Sequence, residues 1–399
     1  MTARNMHTIF AKVKSAVKNG ASIATVESMR YLRPIMRRTR IAVIGGGIIG
    51  ITTALHLRER GFQTTLYTDL RADKNHDRNK FPQFASLYPA ACIVPHSVEM
   101  PDLLDVFDRS QRQFAREADN PESGVRWQAH YELGCDENPV PAYTRLLRRC
   151  EFYRPSERTL RFDKALGRTP TGWSSDVLFA ETPTYIRFLY QRYLLAGGEI
   201  ATGFLRREAI LTLKEDLVVN CTGIWSRSLF GDEQVYPLRG HLIFVECPHW
   251  PPLKDGGSFS YNYKPPDEEF QYDIYFFPRK GLDGVAPAGW LLGGTREEPE
   301  HIGGEPWRFP KLSCPLKDGS PAPIYNVNRK ILHTLTGIDL RGLPWHGYFG
   351  YRPARNGGVR LQLDTSFGRT VIHNYGHGGA GVALSWGCAE RVYEIAQST

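Results

Sequence analysis

The sequence predicts an α/β protein in which a parallel sheet is interleaved with a second domain built on a mixed, largely antiparallel sheet. Three observations predict it. A short apolar strand near residue 41 runs into a glycine-rich turn and a helix. Strands and helices alternate at both ends of the chain, and the middle carries longer strands separated by loops rich in proline and glycine.

The elements follow in order. Residues 41–44 form a short buried strand, Gly45 turns the chain, and a helix runs to about Arg60, where Gly61 ends it. Residues 63–67 are the next strand, which completes a β-α-β unit. Helical spacing marks 101–116 and 184–195, the second stopped by Gly197 and Gly198. Residues 217–220 are another buried strand. Strands are expected at 236–247, 273–278 and 290–294, with loops at 249–269 and 298–323. A last strand at 370–373 leads through glycines into a helix over 382–396, and no internal repeat is present.

The turn after the first strand reads Gly45-Gly46-Gly47-Ile48-Ile49-Gly50. Gly45 permits the tight turn, Gly47 lets backbone approach a pyrophosphate, and Gly50 lets the helix sit close to the strand. The N–H groups at the helix start then face the anion. Asp69 lies nineteen residues beyond Gly50 at the end of the second strand, where a carboxylate accepts from ribose hydroxyls. Strand, helix and distal acid together make this a dinucleotide site, without separating FAD from NAD.

Charge and cysteine content exclude several functions. The 399-residue chain carries a net charge of +8, but residues 1–40 hold nine basic side chains and only Glu27, so the remainder is neutral. A basic groove for nucleic acid is therefore not expected. No run approaches the roughly eighteen apolar residues of a membrane span. Seven scattered cysteines without a CxxC pair read as reduced thiols, which suits a cytoplasmic protein. No metal ligand set is identified. In the basic extension Ile9, Phe10, Val13, Ala16 and Val17 recur at helical spacing. This helix is an arm packed on its own domain or a partner subunit, an organelle-targeting segment, or a surface-binding helix.

The C-terminal third carries a family resemblance. The run from His373 to Gly381 (HNYGHGGAG), followed by Trp386-Gly387, resembles the signature of D-amino-acid and D-aspartate oxidases. Gly350-Tyr351-Arg352-Pro353-Ala354-Arg355 and the stretch to Arg360 resemble the arginine strand of that family. Asn220 to Trp225, Pro237 to Gly240, and Pro89 to Pro95 are similar to its other cofactor-domain segments, so the match spans about 41–399. It implies a D-amino-acid oxidase-like fold in which a Rossmann-like FAD-binding domain (41–115, 181–235 and 341–399) interleaves with a substrate domain (116–180 and 236–340, including a lid at 249–269). Residues 1–40 stand outside as the basic extension.

Motif and resemblance together assign FAD contacts to Gly45, Gly47, Ile48, Ile49, Gly50, Asp69, Ala90, Ala91, Thr222, Gly223, Trp225, Gly378, Gly379, Gly381 and Val382. In physical terms the glycines of 376–381 form a loop into a helix N-terminus, which suits an anion. Those glycines also argue that His373 and His377 are not a metal pair on one helix. Ala383 departs from the threonine of the mammalian relatives, so that contact to the flavin is lost or supplied otherwise.

Arg352 is the leading substrate residue. A planar guanidinium holds a carboxylate through two parallel hydrogen bonds, and the competing reading is a structural ion pair between domains. Arg355 and Arg360 are expected to be structural or cofactor neighbours. The resemblance gives Tyr275 to the same carboxylate, with Tyr272 as the substitute, although a strand aromatic is more often core. It gives the Gly379 carbonyl to the substrate amine. Arg296 either meets an acidic substrate side chain or is neutralised by Glu297, Glu298 or Glu300.

The implied activity is FAD-dependent oxidative deamination of an amino acid, most naturally a D-amino acid, by hydride transfer from Cα to flavin N5. Oxygen is reduced to hydrogen peroxide and the imino acid hydrolyses to a keto acid. Two alternatives stay open: a dehydrogenase or specialised amine oxidase on the same fold, and a flavoprotein tethered by its arm to RNA or an anionic membrane. A homodimer is the assembly kept open.

Overall fold

Residues 41–44 are apolar on both faces, and a strand of that kind belongs at the centre of a sheet covered on both sides. It lies there. The computed structural model describes residues 39–88, 90–96, 98–134, 140–156, 159–247, 249, 257–266, 273–281, 287–301, 307–311 and 315–399. The helix expected in the basic extension lies outside the described residues.

In chain order the strands are β1 (Arg40–Ile44), β2 (Gln63–Thr68), β3 (Ala91–Cys92), β4 (Val125–Gly134), β5 (Arg148–Phe152), β6 (Thr171–Ala180), β7 (Glu199–Thr202) and β8 (Leu217–Asn220). They continue with β9 (Val235–Val245), β10 (Phe259–Tyr263), β11 (Ile274–Arg279), β12 (Gly289–Gly293), β13 (Trp345–Arg355), β14 (Arg360–Asp364) and β15 (Val371–Tyr375). The longer helices among the described residues are α1 (Ile48–Glu59), α2 (Leu103–Glu117), α3 (Thr182–Leu195), α4 (Ala322–Thr336) and α5 (Gly381–Ser398).

Six strands form the first sheet in the order β14-β15-β8-β1-β2-β7. All its pairings are parallel except β14 with β15. Alternation along β1 sends Ile41 and Val43 into one core and Ala42 and Ile44 into the other. The first core includes Ile51 and Leu55 of α1, Leu189 of α3, and Leu384 and Val392 of α5. Full burial of each such isoleucine or leucine contributes about 1.5–3 kcal/mol. α5 also crosses tightly over α2: a Cβ at Gly387 would stand 2.0 Å from the Val106 carbonyl oxygen. A single alanine there would force the two helices apart.

The second sheet has nine strands in the path β13-β9-β12-β11-β10-β4-β6-β3, with β5 paired to β6. β10 and β4 are parallel, and the other pairs are antiparallel. β13 pairs with β9 over eleven residues, Trp345↔Val245 to Arg355↔Val235. The segment 341–399 thus contributes its first strand to this sheet, and β14, β15 and α5 to the smaller one. Alternation divides the faces. Tyr131, Tyr261, Phe276, Leu292 and Ile243 pack into a core with Ile324 and Ile331 of α4. Glu132, Asn262, Tyr275, Gly293 and Leu242 lie in cross-strand register, and all but Gly293 line a cavity.

One expectation is corrected here. The loop and lid assigned to 249–269 contain β10, a strand central to the sheet. Tyr261 and Tyr263 are core residues, and the Tyr261 hydroxyl donates to Asn328 Oδ1 at 2.6 Å. The aromatic alternation of Phe259, Tyr261 and Tyr263 is a strand pattern that the neighbouring prolines and glycines obscured. Residues 250–256 and 267–269 of that segment lie outside the described residues.

Candidate active site

The strand ends of the first sheet and one face of the second line a single cavity. At its first-sheet end the glycine turn is built by close approach. Gly45 has φ +111°, and a Cβ there would stand 2.3 Å from the Cys221 carbonyl oxygen. A Cβ on Gly50 would stand 1.7 Å from the Gly45 oxygen, so α1 can begin only where residue 50 has no side chain. A Cβ on Gly47 would meet only Ser86 Oγ, at 3.0 Å, and the Ser86 side-chain carbon within 4 Å. That backbone faces the cavity. The amide of Ile48 donates to Ser86 Oγ at 2.9 Å.

Ile48, Ile49, Asp69, Ala90, Ala91, Thr222, Gly223 and Trp225 all line the same space. So do Gly378, Gly379, Gly381 and Val382, where a single 3-10 turn, Gly378–Ala380, leads into α5. His373 and His377 diverge. His373 is held by Asp364 and Asn220, whereas His377 sits 3.4 Å from Cys388 Sγ, and burial lowers its pKa to about 4. Ala383 is buried in α5.

At the second-sheet end, three strand glycines make room for three polar side chains. Arg352 on β13 lies over Gly240, where a Cβ would stand 2.3 Å from its Nη1. Its stem passes Gly379, where a Cβ would be 3.5 Å from Arg352 Cδ. Tyr275 on β11 covers its cross-strand partner Gly293, and Tyr88 covers Gly350. Arg352 Nη1 donates to the Thr295 carbonyl at 2.9 Å, which fixes the guanidinium in the cavity wall. Burial raises the Tyr275 hydroxyl above its ordinary range, with Arg352 opposing that rise. Burial likewise raises Tyr88, whose hydroxyl has no hydrogen-bond partner among the described residues.

Arg296 lines the cavity too, and the acid beside it is Asp273 at 3.2 Å. Glu297 is instead occupied by Arg239, whose Nε donates to it at 2.5 Å, and by His241 at 3.5 Å. Of the three glutamates expected as neutralisers, Glu297 is thus engaged elsewhere, and it is Asp273 that pairs with Arg296. Glu297 turns to the opposite side of the chain from Arg296, as neighbours in extended backbone do. Arg355 donates to Asp232 and Arg360 to Tyr375 and Asp364, so both are spent on structural pairs. Tyr272 lies outside the described residues.

A family model described as FAD dependent oxidoreductase matches residues 40–395. The chain belongs to the DAO family of FAD-dependent oxidoreductases. It is 30% identical over 374 residues to a D-amino-acid oxidase of Streptomyces coelicolor, covering 90% of this chain and 97% of that one. It is 28% identical over 389 residues to a D-aspartate oxidase of Talaromyces thermophilus, covering 90% and 95%. Among solved structures, glycine oxidase of Bacillus cereus superposes with a TM-score of 0.61 at 15% identity, covering 90% of this chain and 98% of that one. That last likeness is one of fold.

As a DAO-family oxidoreductase the chain takes FAD, and the cavity fits it. The Gly47 backbone and the first turn of α1 offer an anion cradle that a Cβ would fill, Asp69 stands at the end of β2, and the Gly378–Gly381 loop brings a second helix N-terminus to the same space. No helix among the described residues is long and apolar enough to cross a membrane.

The structure also brings residues into the site of this DAO-family enzyme that pattern reading missed. Ser86 and Tyr88 come from a single 3-10 turn, Ala85–Leu87, and the residue that follows it, too short to show periodicity. His96, His130 and Glu132 meet across the cavity. His96 Nε2 and His130 Nε2 lie 2.5 and 2.9 Å from Glu132 Oε1. Burial resists ionisation of Glu132, but the two histidines outweigh it and hold the carboxyl well below the usual range. The spacing of His130 and Glu132 on one strand was the available signal; His96, some thirty residues earlier, had none.

Proposed function

We propose that this enzyme oxidatively deaminates D-amino acids, with oxygen as the electron acceptor. The substrate's α-C–H and amine together give up two electrons and two protons to form the imino acid, and oxygen takes up both pairs as hydrogen peroxide. Water then converts the imino acid to a keto acid and ammonia. FAD, when bound, supplies the two-electron acceptor that links the halves. One observation carries the reading: Arg352, Tyr275 and Tyr88 converge on one cavity wall, with the Tyr88 hydroxyl buried and unpaired. A cation and two hydroxyls suit a carboxylate, which accepts several strong hydrogen bonds.

On this reading Arg352 takes the carboxylate bidentately, while Tyr275 and Tyr88 donate to its oxygens. Gly379, against the Arg352 stem, offers its carbonyl to the amine. No side chain acts as base. Fixed orientation of the α-carbon supplies most of the effect, up to about 7–11 kcal/mol. The D preference is supported by the relatives that share 25–30% identity, named D-amino-acid and D-aspartate oxidases.

The test is peroxide production by the yellow, FAD-loaded protein across D- and L-amino acids. Peroxide in step with keto acid from D substrates is the expected result. Turnover only with an artificial electron acceptor, or only with L substrates, overturns it.

A further inference from the structure

We infer that His96, His130 and Glu132 form a binding site for a zinc-class divalent metal ion, separate from the FAD cradle and the Arg352 clamp. Their ligating atoms all lie within 4.8 Å of one another. Two imidazoles and one carboxylate are a recognised zinc donor set when a further position is left open. Here that position faces the cavity, which all three residues line.

The arrangement is built by the fold. His130 and Glu132 are two apart on β4, so their side chains leave the same face. The parallel partner β10 sets Ser260 opposite His130 and Asn262 opposite Glu132. Each donor is thereby oriented from behind. His130 Nδ1 lies 2.8 Å from Ser260 Oγ, and Asn262 Nδ2 donates to Glu132 Oε2 at 3.2 Å. His96 Nδ1 lies 3.3 Å from the Tyr143 hydroxyl. Outer partners of this type fix the ring tautomer that points Nε2 at a metal.

His96 Nε2 is buried and lies 2.5 Å from Glu132 Oε1, so both imidazoles converge on one carboxylate oxygen. A cation between the donor atoms would take both rings and the carboxylate at once. With bonds of about 2.0–2.1 Å in tetrahedral geometry, donor atoms stand about 3.3 Å apart. The separations of 2.5 and 2.9 Å to Glu132 need to open by less than an ångström.

The test is equilibrium dialysis of the FAD-loaded protein against Zn2+, with bound metal counted per chain, so that it reads metal and not turnover. One Zn2+ per chain is expected, with binding weakened at least tenfold in His96→Asn and in Glu132→Gln and unchanged in His346→Asn, a control on an exposed histidine. His96 is partly exposed, so its variant tests the site even if the Glu132 variant folds poorly. Binding well below one equivalent, or undiminished in His96→Asn, overturns the site.

Discussion

Replacing Arg352 by alanine separates a substrate clamp from a structural cation. The guanidinium sits in the cavity wall with Nη1 on the Thr295 carbonyl and the Tyr275 hydroxyl beside it. Two charge-assisted hydrogen bonds to a carboxylate contribute about 1.5–3 kcal/mol each, less what water in the vacated space recovers. The net loss of about 3–5 kcal/mol corresponds to roughly 10²–10⁴ in kcat/KM. Arg352→Lys keeps the charge but not the planar fork and should lose about 10–10². The assay is steady-state peroxide release at matched FAD content, checked by flavin absorbance. A primary amine lacking the carboxylate provides the internal control, because wild type and Arg352→Ala should oxidise it equally slowly. A variant that keeps its FAD and stays within threefold of wild type on amino acids refutes the clamp.

Three further outcomes are expected. Gly50→Ala places a Cβ 1.7 Å from the Gly45 oxygen, so the protein should purify colourless or bind FAD at least 100-fold more weakly; a fully yellow variant counts against the cradle. Tyr88→Phe removes a buried hydroxyl that no group among the described residues uses, so Tm should hold or rise while kcat/KM falls by roughly fivefold, the effect of about 1 kcal/mol; a lowered Tm with normal kinetics reverses that reading. His377 is held near 4 by burial against an ordinary 6.5, so between those values the unfolded chain binds a proton that the folded chain refuses. Stability should therefore fall by about 2–3 kcal/mol as pH drops from 7 to 4.5, and urea titrations should show a shallower fall in His377→Asn.

What could be read from residue order was whatever depends on local chemistry. The turn from Gly45 to Gly50 follows from backbone sterics, and β1, β8 and α5 follow from periodicity, so these elements came out within a residue or two. The loop expected over 249–269 failed because Phe259–Tyr263 is a five-residue strand between breaker-rich flanks, and only its neighbours β4 and β11 make it central. Gly240, Gly293 and Gly350 were visible as residues but not as floor for Arg352, Tyr275 and Tyr88. That role exists only once strands are paired in register. The same is true of His96, which reaches Glu132 through the packing of β3 on β6 and β6 on β4.

Register binds the two ends of the cavity into one design. Glu132, Asn262, Tyr275, Gly293, Leu242 and Tyr348 occupy successive strands at one level of the sheet. Strands stand about 4.8 Å apart, so Glu132 is about 10 Å along the row from Tyr275. A slip of one residue in β10 would turn Asn262 into the core and Tyr261 into the cavity. The buried Tyr261–Asn328 hydrogen bond and the aromatic packing of Tyr261 with Phe276 oppose that slip. Core packing on one face of the sheet therefore sets the distance between a carboxylate clamp and a histidine–glutamate cluster on the other. On the proposed reading, a substrate anchored at Arg352 would reach that cluster only with a side chain that spans the row.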